Sequence, residues 1–166
     1  MSVPTRCIRC LFVVPLVLAA ISTRDKARAQ SASSSPCAAK MAALLPVSGY
    51  EYKTHKADVW SIVFNREHLK DFKVVLSTNE DMLVVFVTVV KKSQMPATTE
   101  FRGTLLSFNH DLDRVKVGLD DDGDLFVRSD STCRILDSEE FKEQVKQVAA
   151  SADEVYGKIS SSISPR

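Results

Sequence analysis

The stretch from Leu105 to Ile159 narrows most sharply what this chain can fold into. The end of an amphipathic helix gives way there to an alternating run, an acidic turn, a second alternating run and a long helix. Val115, Val117 and Leu119 alternate with Lys116 and Gly118, and Leu125 and Val127 resume the alternation after Asp121-Asp122-Gly123-Asp124. Asp-Gly between two such runs predicts a hairpin, because glycine accepts the positive φ of a tight turn. Beyond it, Asp137 precedes Glu140 by three residues in capping-box register, so Asp137 or Ser138 caps the last helix. Phe141, Val145, Val148, Ala149, Ala152, Tyr156 and Ile159 form its apolar stripe.

Upstream, the periodicity predicts a short helix and four strands. Ala38 to Leu45 reads as one or two helical turns, stopped by Pro46 and Gly49. Tyr50, Tyr52 and Thr54 alternate with charged residues as in a half-buried strand, and Trp60, Ile62 and Phe64 line one face of the next. Phe72, Val74 and Leu76 mark a third strand. Met82 to Val90 is apolar on both faces, the pattern of a central strand covered on both sides. Phe101, Leu105, Phe108 and Leu112 make one helical stripe. Gly103 weakens that helix by about 1 kcal/mol relative to alanine, which close packing against the sheet would explain. The order predicts an α+β fold, helices against a mostly antiparallel sheet.

The N-terminus reads as an address. Arg6 and Arg9 precede the apolar run Cys10 to Ile21, and Ala27-Arg28-Ala29 offers a small-x-small cleavage site. The run is well short of the ~20 residues a spanning helix needs, which disfavours an uncleaved anchor. The expected division is a signal peptide at 1–29, a disordered Ser-rich linker at 30–37, a single α+β domain at 38–159 and a frayed tail at 160–166. A periplasmic or secreted protein follows, with no stable membrane span after cleavage. Loss of the cationic leader turns the formal net charge of +1 negative and leaves no basic cluster for nucleic acid. Cys7 and Cys10 leave with the leader. Cys37 and Cys133 remain, a candidate disulfide in an oxidising compartment, with a floppy Cys37 and a lone Cys133 thiol as the alternative.

The run Leu105 to Asp130, followed by Leu136 to Ile159, resembles the YbjN-like domain, which shares its fold with type III secretion chaperones. Leu105-Leu106 with Asn109 is similar to that family's leucine-rich helix ending in asparagine. Val117 to Val127 matches its strand–turn–strand, and Ala152-Asp153-Glu154 with Tyr156 matches the close of its final helix. The resemblance implies a type III secretion chaperone-like sandwich and a non-enzymatic protein. Its implied partner is a polypeptide or a second copy, a homodimer included. The chaperone relatives work in the cytoplasm, so the leader argues against a type III secretion role here. On this reading, Trp60, Ile62 and Phe64, or the exposed face of Met82–Val90, are the candidate partner-binding surface, with plain core as their alternative fate.

Chemical sites find little support. With Gly123 at position six of a calcium loop, Asp120 and Asp122 fit positions three and five, but Gly118 and Ser129 occupy positions one and twelve. A solvated acidic turn is the simpler reading. His55, His68 and His110 show no zinc spacing, and no nucleophile elbow or phosphate loop occurs. No catalytic residue, metal or cofactor is assigned. The competing functional reading is a small periplasmic thiol-dependent enzyme or redox protein using Cys133, which lacks a family signature around it.

Overall fold

A computed structural model describes residues 35–164, in which three α-helices pack on a six-stranded antiparallel sheet. The expected signal peptide and its cleavage site, Cys7, Cys10 and the last two residues lie outside the described residues. Helix α1 spans Pro36–Val47 and is followed by β1 (Tyr52–Lys56), β2 (Val59–Phe64), β3 (Phe72–Asn79) and β4 (Met82–Val90). Helix α2 (Thr99–Asp111), β5 (Lys116–Leu119), β6 (Leu125–Thr132) and α3 (Ser138–Ile159) complete the order. The strands lie β1-β2-β3-β4-β6-β5, so the hairpin docks its second strand on β4 and leaves β5 at one edge.

The folded region starts earlier than the 30–37 linker allowed. The Ser35 hydroxyl accepts from the Ala38 N–H at 3.1 Å and Pro36 occupies the first turn, where its fixed φ and missing N–H cost nothing. Cys37, Ala38, Met41 and Leu45 are buried from this helix, and Pro46 sits inside its last turn rather than before it. At the other end the expected frayed tail is anchored through Ser164. Its N–H donates to the Gln94 carbonyl at 2.9 Å, and Ile163 packs against the core.

The core lies on one face of the sheet. Leu83, Val85, Val87 and Val89 of β4 are fully buried, as are Phe141, Val145, Val148, Ala149, Ala152 and Val155 of α3. Each large apolar side chain so buried contributes about 1.5–3 kcal/mol relative to exposure. Phe101, Leu105 and Phe108 of α2 join the same cluster, and the Lys158 ammonium of α3 lies 5.5 Å from the centre of the Phe108 ring. β4 is central, as its apolar run predicts, but only this face is covered by a described element. β1 is exposed along its whole length rather than half-buried, because Tyr50, not a β1 residue, packs against Phe64 and Phe141.

Polar side chains fix the connections. Asn109 at the end of α2 accepts from the Val117 N–H (2.8 Å) and donates to the Val117 carbonyl (3.0 Å), pairing with β5 as a strand would. Asp153 of α3 accepts from the His68 and Leu69 N–H groups at 2.8 and 2.7 Å, holding the β2–β3 loop. One turn further on, a Cβ at Gly157 would lie 2.5 Å from the His68 ring, so any side chain there would have to displace that ring. The Asp137 carboxylate caps α3, accepting from Glu139 and Glu140. Gly103 differs from expectation: it faces solvent with open space around it, and nothing in the structure explains it.

Candidate functional site

The face of the sheet opposite the helices is covered by no described element. It alternates residue by residue with the core face, so the strand register places its side chains. Across the strands, Lys53 stands opposite Ser61, Ser61 opposite Val75, Val75 opposite Phe86, Phe86 opposite Arg128, and Arg128 opposite Lys116. One row thus crosses all six strands, apolar in the middle and cationic at both ends. Flanking rows bring Val84 opposite Ser77 and Asp130, and Phe126 opposite Thr88 and Gly118.

Val84, Phe86 and Phe126 are half-buried by their neighbours alone. They line a depression of about 360 Å³ together with Ser77, Thr88 and Arg128. Gly118 makes room on β5 for the Phe126 ring, since a Cβ there would approach its tip to 2.9 Å. A wider cleft of about 670 Å³ opens beside it, where Lys73 and Val75 face Thr88 and Val90.

The charges of this face are ordered around Asp130. Arg128 donates to both its oxygens, Nε to Oδ1 at 2.7 Å and Nη2 to Oδ2 at 3.0 Å, and Lys116 Nζ donates to Oδ2 at 2.9 Å. The Arg128 hydrogen bonds hold the Asp130 carboxyl below its ordinary value, against the opposing effect of burial, and Lys116 adds to the lowering. At β1, the His55 ring Nε2 pairs with Ser61 Oγ at 2.8 Å, which covers the serine on an otherwise open face.

The residues singled out from sequence take other places. Trp60 and Ile62, candidates for a partner surface, are 4% and 2% exposed on the helix-covered face and can present nothing to a partner. Phe64 is half-buried between Tyr50 and Phe72. Their alternation faithfully marks one face, but the packing of α1 and α3 makes it the inner one. The other candidate, the exposed face of β4, is the centre of the open sheet. Cys133 is joined to Cys37 as a disulfide across 96 residues, with Cα atoms 5.4 Å apart. Lys40 Nζ on α1 donates to the carbonyls of Cys133 (2.7 Å) and Arg134 (3.3 Å), beside the same tie.

The acidic turn is used internally. Asp124 accepts from Lys91 Nζ at 2.6 Å and the Lys92 N–H at 2.9 Å, and Asp120 accepts from the Asp124 N–H at 2.8 Å. The Lys91 hydrogen bond chiefly holds the Asp124 carboxyl below its ordinary value. Among the described residues no three His, Cys, Asp or Glu side chains gather as a metal site. Lys73, Lys116, Phe126 and Arg128 were missed from sequence. The alternation of β6 behind its Asp-Gly turn carried the signal for Phe126 and Arg128, but their face could be assigned only once β6 was paired with β4.

The YbjN family model, described as "Putative bacterial sensory transduction regulator", matches residues 39–160. No curated protein matches the chain. Among solved structures, the chain is similar to YbjN from E. coli, with 18% identity and a TM-score of 0.57 over 76% of this chain and 95% of that one. It is similar also to a chain of the heterodimeric ExoU–SpcU complex from the type III secretion system of Pseudomonas aeruginosa (16% identity, TM-score 0.53, 75% and 98% covered). A third similar structure is that of the Yersinia pestis type III secretion chaperone SycH with a fragment of YscM2 (13% identity, TM-score 0.53, 72% and 98% covered). These likenesses establish the fold, an α+β type III secretion chaperone-like sandwich.

Proposed function

The chain belongs to the YbjN family, and from that premise we propose that it is an exported, non-enzymatic protein that binds a polypeptide. The observation that carries this reading is the open sheet face. A half-apolar surface centred on Phe86 and Phe126 faces away from the core, and the adjoining edge strand β1 is exposed throughout. A sheet with one face on the core and the other apolar and uncovered marks an interaction site rather than a finished surface. The similar folds in the SycH–YscM2 and ExoU–SpcU structures are held in complexes with other polypeptides, which supports the same use here.

Export is inferred from the leader, and the Cys37–Cys133 pairing suits an oxidising compartment. The bonded cysteines also weigh against a thiol enzyme, since a disulfide sulfur supplies no thiolate nucleophile. The test is cross-linking of the tagged protein in its native compartment, followed by reconstitution with whatever polypeptide is recovered. Reconstitution from purified components, with cross-links on the open face, supports the reading. A recovered partner that fails to reassociate, or no partner at all, counts against it. Intact mass on the same sample reads cleavage after Ala29 and the loss of two hydrogens on disulfide formation; an uncleaved, fully reduced chain overturns export.

A further inference from the structure

The charges of this domain are segregated. On the open face the strands present Lys53, Lys56, Lys73, Lys116 and Arg128 against a single carboxylate, Asp130. Yet the described residues as a whole carry more Asp and Glu than Lys and Arg, so the acids lie in the loops and on the helices. Asp130 answers Arg128 and Lys116, whereas the ammonium groups of Lys53 and Lys73 meet no acid among the described residues. Asp120 stands at the rim of the smaller depression with its carboxylate turned to the Asp124 N–H. A solvated surface has no need to place cations at both ends of an apolar row.

We infer that the open sheet face is a docking surface for an acidic polypeptide segment, one with apolar side chains at its centre and Asp or Glu on both sides. This rests on the polypeptide-binding reading above and names the chemistry of the partner. The match is electrostatic and steric together. The row from Lys53 to Lys116 spans about 24 Å at the ordinary strand spacing, the length of a seven- or eight-residue extended segment. Apolar side chains at the middle of that segment reach the depression between Val84, Phe86 and Phe126. Acids at its ends meet Lys53 on one side, and on the other the excess positive charge that Asp130 leaves on Arg128 and Lys116, while Lys73 on β3 flanks the middle of the row and meets an acid beside the apolar centre. Such charge matching chiefly sets partner choice and the rate of encounter, while the apolar centre supplies the affinity.

Random dodecapeptides displayed on phage, selected against the purified full chain, test this directly. Enriched peptides are synthesised and titrated by fluorescence anisotropy against the wild type and K53E/K73E. Both lysines are exposed, and neither ammonium is paired among the described residues, so the double variant keeps its fold, which its melting curve verifies. The expected result is enrichment of acidic–apolar peptides whose binding weakens by about tenfold or more in K53E/K73E and falls as salt rises. Peptides without acidic bias, or binding that ignores the charge reversal, overturn this surface and leave polypeptide binding standing. No enrichment at all removes both. Single-stranded DNA or phosphatidylglycerol vesicles bound more tightly than any peptide, and released by the same reversal, replace the peptide as occupant. A wild-type dimer that K53E/K73E dissociates in sedimentation replaces it with a second copy.

Discussion

The two faces of β4 are built from nearly the same residues and meet different fates. Leu83, Val85, Val87 and Val89 are sealed under α3, while Val84, Phe86 and Thr88, one step along in each case, are only half-buried on the open side. Composition does not separate them. What separates them is that one face has helices to pack against and the other has none among the described residues. Apolar character therefore says that a residue is suited to burial, and the neighbouring layer decides whether it is buried.

The sharpest way to break this comparison is to truncate one ring on each side. Phe141, wholly buried in α3, is expected to cost about 3–5 kcal/mol as Phe141→Ala, read by urea denaturation. Phe86→Ala on the open face should cost about 1 kcal/mol or less. Equal losses would mean that the open face is covered in solution. The disulfide sharpens the inner side further. Cys37→Ser with Cys133→Ser releases a cross-link spanning 96 residues, with an expected loss of about 2–5 kcal/mol. No change in the denaturation midpoint on reduction would show that packing alone holds α1.

Two smaller effects probe the exposed side. Gly103 has room for a Cβ on all sides within α2, so Gly103→Ala should stabilise by about 0.5–1 kcal/mol. A loss would reveal a neighbour at that surface. The last concerns Asp130, whose carboxyl is held low chiefly by Arg128. A carboxylate with a depressed folded-state pKa stabilises the fold above its ordinary value, and that contribution is lost as pH falls through the depressed one. Asp130→Asn should slightly flatten the acid limb of stability between about pH 5 and pH 2, with little change between wild-type and variant slopes near neutrality. An unchanged acid limb would mean that the Arg128 pair contributes nothing in solution.

Much of the architecture was legible because periodicity and turn chemistry are local. The Asp-Gly hairpin, the Asp137 cap and the stripe of α3 each follow from residues within a few positions of one another. Asn109 and Asp153 show where local reading stopped. Both stood out in the resemblance to the family, but their work, clamping Val117 and the β2–β3 loop, is done on backbone far along the chain. Ser35-Pro36 reads as linker because its serine neighbours mask a helix start. The candidate site was the least legible part. Trp60 and Ile62 signalled an apolar face correctly, but which side of the sheet α1 and α3 would cover is a property of no single segment.

The sequence by itself determined the elements, their order and the two alternating sets of each strand, since hydrogen-bonding period and capping act over a few residues. Only the tertiary structure decided that β6 would pair with β4, that the helices would share one face, and that scattered lysines and one arginine would fall together on the other. Those are long-range choices. They are fixed by which apolar faces find each other as the chain closes, and no local pattern of residues carries that information.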